Sequence, residues 1–317
     1  MMDFLLLISF LLAFYVAWSV GANDETMAVV AGSGFTSILI TCLIGAVMDF
    51  LGAVLLGYKV EETMGQKLLT YKIDLVDTLI IVAAIATWLV VASYRGWPVS
   101  TTHSAVGAVI GLGFYRLGIS GVNWSSLGSV VAGWVISPIV GFFGAYLTSK
   151  AFDYALAKGV RGFKRSLKIA RVSSYLLLIW ASYTSFFRGA NDIANATAFL
   201  SVVYENPLAV RLVSGFGMAL GLIMLGRRVV KSVGVELVEL TPTMGLAIQI
   251  STALTVSIGT LMGLPLSGTH ILVMAVAGIG VAKKIWINVK GLKEILVTWI
   301  ITFPGAAILA VLFALLV

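Results

Sequence analysis

Apolar runs of membrane-spanning length recur along this chain, at residues 4–20, 35–57, 79–94, 126–148, 208–226, 246–262 and 295–317. About 20 helical residues cross a hydrocarbon core of about 30 Å, so each run can supply one crossing or most of one. Charged residues make up 11% of the 317-residue chain, against about 25% in an ordinary soluble domain. The runs are continuous and rich in Leu, Ile and Val rather than alternating, which excludes an outer-membrane barrel. The expected fold class is an all-α polytopic membrane protein. The first run follows Met1-Met2-Asp3 without a basic segment or a clear cleavage site, so it reads as a retained helix rather than a leader. One cysteine, Cys42, excludes an intramolecular disulfide and a thiolate metal cluster. The net charge of +7 does not indicate nucleic acid, because the basic residues gather in short loops, as membrane orientation requires.

The chain also repeats itself. Residues 21–28 read GANDETMA and residues 189–196 read GANDIANA, 168 positions later. Residues 96–113 read GWPVSTTHSAVGAVIGLG and residues 263–280 read GLPLSGTHILVMAVAGIG, 167 positions later. Between these motifs Gly52 and Gly57 match Gly221 and Gly226; after them Asn123 and Trp134 match Asn288 and Trp299. Landmarks matched in one order indicate an internal duplication. The first repeat covers residues 1–149, the second covers 172–317, and a basic linker, 150–171, joins them.

That linker carries Lys150, Lys158, Arg161, Lys164, Arg165, Lys168 and Arg171 against a single acid, Asp153. The positive-inside rule therefore puts it in the cytoplasm. Neither terminus has a nearby Lys or Arg, so both are expected outside. Each half must then cross an odd number of times, which makes the halves inverted copies. Five crossings per half satisfy this. So do three crossings plus a re-entrant hairpin bent at Gly96–Pro98 and at Gly263–Pro265, the arrangement favoured because Gly and Pro interrupt both helices at one place. Paired interrupted helices in inverted repeats point to a transporter site near the midplane.

Asp24 and Asp192 occupy matched positions, each after Gly-Ala-Asn. A charge at mid-membrane costs roughly 3 kcal/mol on insertion scales and normally faces the protein interior. Capping of the next helix would explain one copy. Cation binding explains both: carboxylate and amide oxygens of Asn23, Asp24, Asn191 and Asp192, with carbonyls freed by unwinding at Gly21 and Gly189, suit a hard cation. Glu25 and Asn195 are secondary candidates in the same motifs. The other pair suits an anion. Ser100, Thr101 and Thr102 follow Pro98, and Ser267, Gly268 and Thr269 follow Pro265. Proline favours a first helical turn and Ser or Thr its cap. The free N–H groups and the positive dipole end then face whatever lies ahead.

The only two histidines, His103 and His270, close this motif. Structural hydrogen bonding and a proton relay both remain open for them, while a zinc site lacks further ligands. Arg188 either snorkels to the interface or helps to hold an anion. Arg116 reads as an interface anchor. Asp49 faces Met218 in the repeat alignment and reads as local. The acids of residues 59–77 and 236–239 read as solvated loop residues.

These motifs resemble those of the inorganic phosphate transporters of the PiT type, which share a duplicated G-x-N-D-x-A-N-A-like signature. The resemblance spans both signatures, both Pro-x-Ser-x-Thr-His segments and the central basic loop, and Gly189 to Ala196 matches fully. It implies a cation-coupled symporter, mostly of phosphate with sodium, although some members use protons or carry sulfate. It makes Asn23, Asp24, Asn191 and Asp192 sodium ligands, with Gly21 and Gly189 beside them. It makes Ser100, Thr101, Thr102, Ser267, Gly268 and Thr269 a phosphate cradle, with Arg188 near it. Glu25, Thr26 and Met27 depart from the signature in the first copy, and Arg188 stands where members commonly have His. These departures leave the coupling cation and the exact anion open. The short central loop fits a minimal, prokaryotic form.

The expected function is sodium-coupled symport of inorganic phosphate across the cytoplasmic membrane by alternating access, with no cofactor beyond the coupling ion. The expected partners are phosphate, sodium and the lipid bilayer; nucleic acid is not one, and a homodimer is compatible with the sequence. The alternative is a proton- or sodium-coupled permease for sulfate or another oxyanion. An intramembrane hydrolase would need an asymmetric nucleophile or metal, and a passive pore would not need carboxylates paired with an anion site.

Overall fold

A computed structural model of the chain describes residues 2–95, 99–157, 162–231, 240–285 and 289–317. The described residues are helical, apart from loops and one isolated bridge between Leu69 and Val122. The first half of the chain forms α1 (Met2–Ala22), α2 (Ala28–Gly32), α3 (Ile38–Leu56), α4 (Tyr58–Glu62), α5 (Leu75–Arg95), α6 (Thr101–Leu117) and α7 (Trp124–Ala157). The second runs in the same order. It comprises α8 (Phe163–Asp192), α9 (Ala194–Thr197) with α10 (Leu200–Val203), α11 (Pro207–Gly221), α12 (Arg227–Lys231), α13 (Pro242–Leu261), α14 (Gly268–Lys283) and α15 (Val289–Ala314).

Among the described residues, 8 helices are long and apolar enough to cross a membrane. The chain is a multi-pass membrane protein. Helix α14 is shorter, at 16 residues. Helix α8 has 30 residues, with basic residues at its start and the second GAND at its end. The basic join is largely helical: α7 continues past Lys150 to Ala157 and α8 resumes at Phe163. Lys150 Nζ donates to the Ala282 carbonyl at 2.9 Å, and Lys283 pairs with Asp153, which fastens the end of α7 to the end of α14.

Of the two expected bends, Gly96–Pro98 lies outside the described residues, as do Asn288 and the acids of 236–239. The bend at Gly263–Pro265 is described. Helix α13 ends at Leu261, Gly263 turns the chain with φ +70°, and Ser267 caps α14. Pro265 therefore lies two residues ahead of the cap, not in the first helical turn that the sequence pattern suggests. Its carbonyl accepts from Trp134 Nε1 at 2.8 Å.

Four of the main helix pairings join the two halves, in matched pairs. Helix α1 packs on α11 and α8 on α3; α7 packs on α14 and α15 on α6. Glycines make the first set of crossings close. A Cβ on Gly21 would lie 1.8 Å from the Met218 carbonyl oxygen, and one on Gly189 would lie 2.3 Å from that of Asp49. Likewise Gly52 would meet Phe186 O at 1.8 Å, and Gly221 would meet Trp18 O at 1.9 Å. Lipid tails are as apolar as Leu, so membrane helices associate by such close backbone approach rather than by hydrophobic exclusion.

Gly52→Ala should force α3 off α8, at a cost of roughly 1–3 kcal/mol or more. Gly128→Ala on α7, where an added Cβ meets nothing within 4 Å, should be neutral. Melting temperatures of the two variants in detergent check this; equal values would remove the crossing argument.

Candidate functional site

The site is built where the starts of α6 and α14 meet. Ser100 accepts a hydrogen bond from His103 N–H at 3.3 Å, and Ser267 accepts one from His270 N–H at 3.5 Å. Both hydroxyls are therefore N-caps, and Ser100 Oγ donates to Ser267 Oγ at 3.2 Å. Two caps that the sequence separates by 167 residues touch. The N–H groups of Thr101, Thr102, Gly268 and Thr269 belong to first turns that a helix cannot satisfy internally, and both positive dipole ends converge there.

The GAND motifs lie against these caps but differ from each other. In the first copy α1 stops at Ala22, residues 23–27 leave the helix, and Asp24 Oδ1 accepts from Thr26 N–H at 2.7 Å. In the second, α8 stays helical through Asp192, and one residue, Ile193, leads into α9. Unwinding expected in both copies thus occurs in the first alone. The carbonyls of Gly21 and Gly189 each accept one backbone hydrogen bond, from Asp24 N–H and Ile193 N–H, at 3.1 Å. Both glycines also allow the close crossings described above.

The asparagines tie the motifs to the caps. Asn191 Nδ2 donates to the Leu264 carbonyl at 2.9 Å and to Thr260 Oγ1 at 3.1 Å, while its Oδ1 accepts from Leu266 N–H at 3.0 Å. It pins the turn that leads into α14. Asn195 Nδ2 donates to Thr101 Oγ1 at 3.1 Å and Thr102 Oγ1 at 3.3 Å, linking the second motif to the first repeat's cap. Thr102 Oγ1 in turn donates to the Leu266 carbonyl at 3.2 Å. Asn23 is exposed and borders a small cavity of about 20 Å³. Arg188 and Asp192 line the same cavity, as do Thr101, Thr102 and the Ser267–Thr269 cap.

Arg188 does not snorkel. It is 5% exposed, and its guanidinium reaches Glu25 at 2.8 Å, Asp192 at 3.0 Å and Asp24 at 3.3 Å. The histidines sit behind the caps, not on the cavity. His103 packs at a tilt on Trp134 with centroids 3.9 Å apart, His270 stacks on Trp299 at 3.3 Å, and the two imidazoles meet edge to face at 4.7 Å. His103 Nδ1 also meets the Trp299 carbonyl at 3.2 Å. This is a packed aromatic block that braces the caps.

Three acids whose sequence context reads as local or solvated belong instead to the interior. Asp49 is fully buried, with the Asp24 carboxyl and the Ser185 hydroxyl beside it. A carboxylate inside an apolar run is itself a signal, which the missing repeat partner obscures. Glu61 is 5% exposed, hydrogen-bonded by the Thr197 hydroxyl, and paired with Arg211 at 2.7 Å. It is not a solvated loop residue, because α4 folds onto α9 rather than into water. Asp77 is likewise buried and pairs with Arg116 at 2.8 Å, which makes Arg116 an anchor at the end of α6.

A family model described as "Phosphate transporter family" matches residues 20–310. The chain belongs to that family. Its members are transporters, not enzymes, and phosphate is what they carry. The chloroplastic inorganic phosphate transporter 2-1 of Arabidopsis thaliana is 31% identical over 96% of this chain and 70% of its own length. A solved structure described as "The sodium-dependent phosphate transporter" superposes with a TM-score of 0.90 and 27% identity, covering 98% of each chain.

Arg211→Leu should leave Glu61 buried without its countercharge, costing about 3–5 kcal/mol. The double variant Glu61→Gln/Arg211→Leu should recover most of that loss. Thermal denaturation of the purified protein reads both, and equal instability of single and double variants would show that the pair is not the cause.

Proposed function

We propose that this chain is a sodium-coupled symporter of inorganic phosphate, working by alternating access between two inverted repeats in the cytoplasmic membrane. One observation carries the reading: a single cavity is bordered by residues of both GAND motifs and by both serine-capped helix starts. The Asp192 carboxyl and the Asn23 amide, which suit a cation, thus share one small space with donors that suit an oxyanion. The likeness to a solved transporter described as sodium-dependent adds support for sodium as the coupling ion.

In this reading Asp24 and Asp192, with Asn23 and Asn191, hold sodium. Ser100, Thr101, Thr102, Ser267, Gly268 and Thr269 receive phosphate through hydroxyls and first-turn N–H groups. Like charges about 5 Å apart repel by roughly 3 kcal/mol at an effective dielectric of about 20. Phosphate therefore binds weakly until a cation offsets the carboxylates. Sodium binds first, and by linkage phosphate tightens sodium by the same factor. The cavity has room for about one water by the usual measure, so the caps must part to admit phosphate. Orientation follows the positive-inside rule, with the join in the cytoplasm and both termini outside.

Uptake of labelled phosphate into proteoliposomes, under sodium, potassium or proton gradients and with sulfate as competitor, tests the proposal. Sodium alone should drive uptake, and sulfate should compete poorly. Asp24→Asn and Asp192→Asn should each abolish the sodium stimulation while leaving the protein folded. Proton-driven uptake, or equal transport of sulfate, would replace this reading with the oxyanion permease.

Orientation is tested separately in a Cys42→Ser background. Cysteines introduced in the 150–157 segment should react only from the cytoplasmic side, and those at positions 2 and 316 only from outside. Termini found on opposite faces would remove the inverted repeat.

A further inference from the structure

Three buried site charges are not repeated by the duplication, Arg188, Glu25 and Asp49, and the first two form a pair. Val20 occupies the position matched to Arg188, and Ile193 the position matched to Glu25. Both extra charges are buried, and they bond to each other, Nη1 to Oε1 at 2.8 Å. The same guanidinium also spans the matched aspartates of the two repeats. Its Nε donates to Asp192 Oδ2 at 3.0 Å, and Nη1 lies 3.3 Å from Asp24 Oδ1. Nη1 also donates to Thr26 Oγ1 at 3.0 Å, and Nη2 donates to Thr269 Oγ1 at 3.2 Å, at the edge of the cavity.

The surroundings are shaped for this placement. A Cβ on Gly268 would lie 2.6 Å from Arg188 Nε, so the start of α14 admits the guanidinium only because it lacks a side chain there. A cation beside a helix N-terminus opposes the dipole, and the three carboxylates outweigh that opposition. With five N–H donors in a fixed plane, Arg can serve several carboxylates and still present a donor to an anion, which a lysine ammonium on a flexible stem does less well.

We propose that Arg188 is a tethered cation. It takes, by covalent attachment, the place of one ion that would otherwise neutralise Asp24 and Asp192; Glu25 holds it in register, and its Nη2 edge faces the incoming oxyanion. This rests on the reading of the cavity as the shared sodium and phosphate site. It makes Arg188 and Glu25 determinants of how many sodium ions are linked to each phosphate. The chain should keep measurable phosphate affinity without sodium, and fewer sodium ions should be linked than in the same site stripped of the guanidinium.

The test is calorimetric titration of the detergent-purified full chain with inorganic phosphate, over a series of sodium concentrations balanced with choline. The slope of log affinity against log sodium counts the linked ions. In Arg188→Gln, phosphate affinity in choline should fall by about tenfold or more, and the slope should rise by about one ion. Arg188→Lys should keep the original slope. The double variant Arg188→Gln/Glu25→Gln preserves the net charge but empties the place, so its slope should also rise; a return to the wild-type slope would mean that net charge alone matters, and would overturn the tether.

A wild type indifferent to sodium, with a response appearing in Arg188→Gln, would support the tether and remove the sodium-coupling reading. No sodium response in either would end both. An unchanged slope in Arg188→Gln, with wild type responsive, would end the tether alone. If Arg188→Gln does not fold, Glu25→Gln decides. Without Glu25 the guanidinium loses its register over Asp24 and Asp192, so the sodium slope of that variant should rise towards that of the double variant; an unchanged slope overturns the proposal.

Discussion

Four carboxylates and one guanidinium share the interior of this protein: Asp24, Glu25, Asp49, Asp192 and Arg188 are each no more than 6% exposed. Such a cluster is costly in a membrane protein unless its members satisfy one another or a visiting ion. Much of the architecture follows from that need. Glycines at 21, 52, 189 and 221 bring the backbones of α1, α3, α8 and α11 close enough for the motifs of the two repeats to meet. Gly268 yields room for the guanidinium, and Asn191 and Asn195 fix the capped helix starts relative to the acids.

The matched features and the unmatched ones have different work. Serine caps, GAND aspartates, glycine crossings and His–Trp contacts occur twice, and they form the frame common to both halves. The unmatched charges, Arg188 with Glu25 and Glu61 with Arg211, each find their partner at 2.7–2.8 Å across the boundary between repeats. Charges confined to one copy make the two halves unequal, so they are where the properties of this particular chain are expected to reside.

The sequence by itself determined that the chain is helical, membrane-embedded and duplicated, because hydropathy and motif spacing are carried by residue identity and order alone. It also singled out Asp24, Asp192 and both Ser/Thr caps, since a repeated polar motif in an apolar run needs no contact map to be noticed. The tertiary structure decided which carboxylates share the Arg188 guanidinium, that Asp49 and Glu61 are interior, and that Gly21 and Gly189 allow close helix crossings. It also showed that only the first GAND unwinds. The reason is physical. Pairing and burial depend on which helix of one half lies against which helix of the other, and those neighbours are distant along the chain. A residue such as Arg188 looks the same in sequence whether it snorkels to the interface or is enclosed by three acids; the crossing of α8 with its neighbours chooses between them.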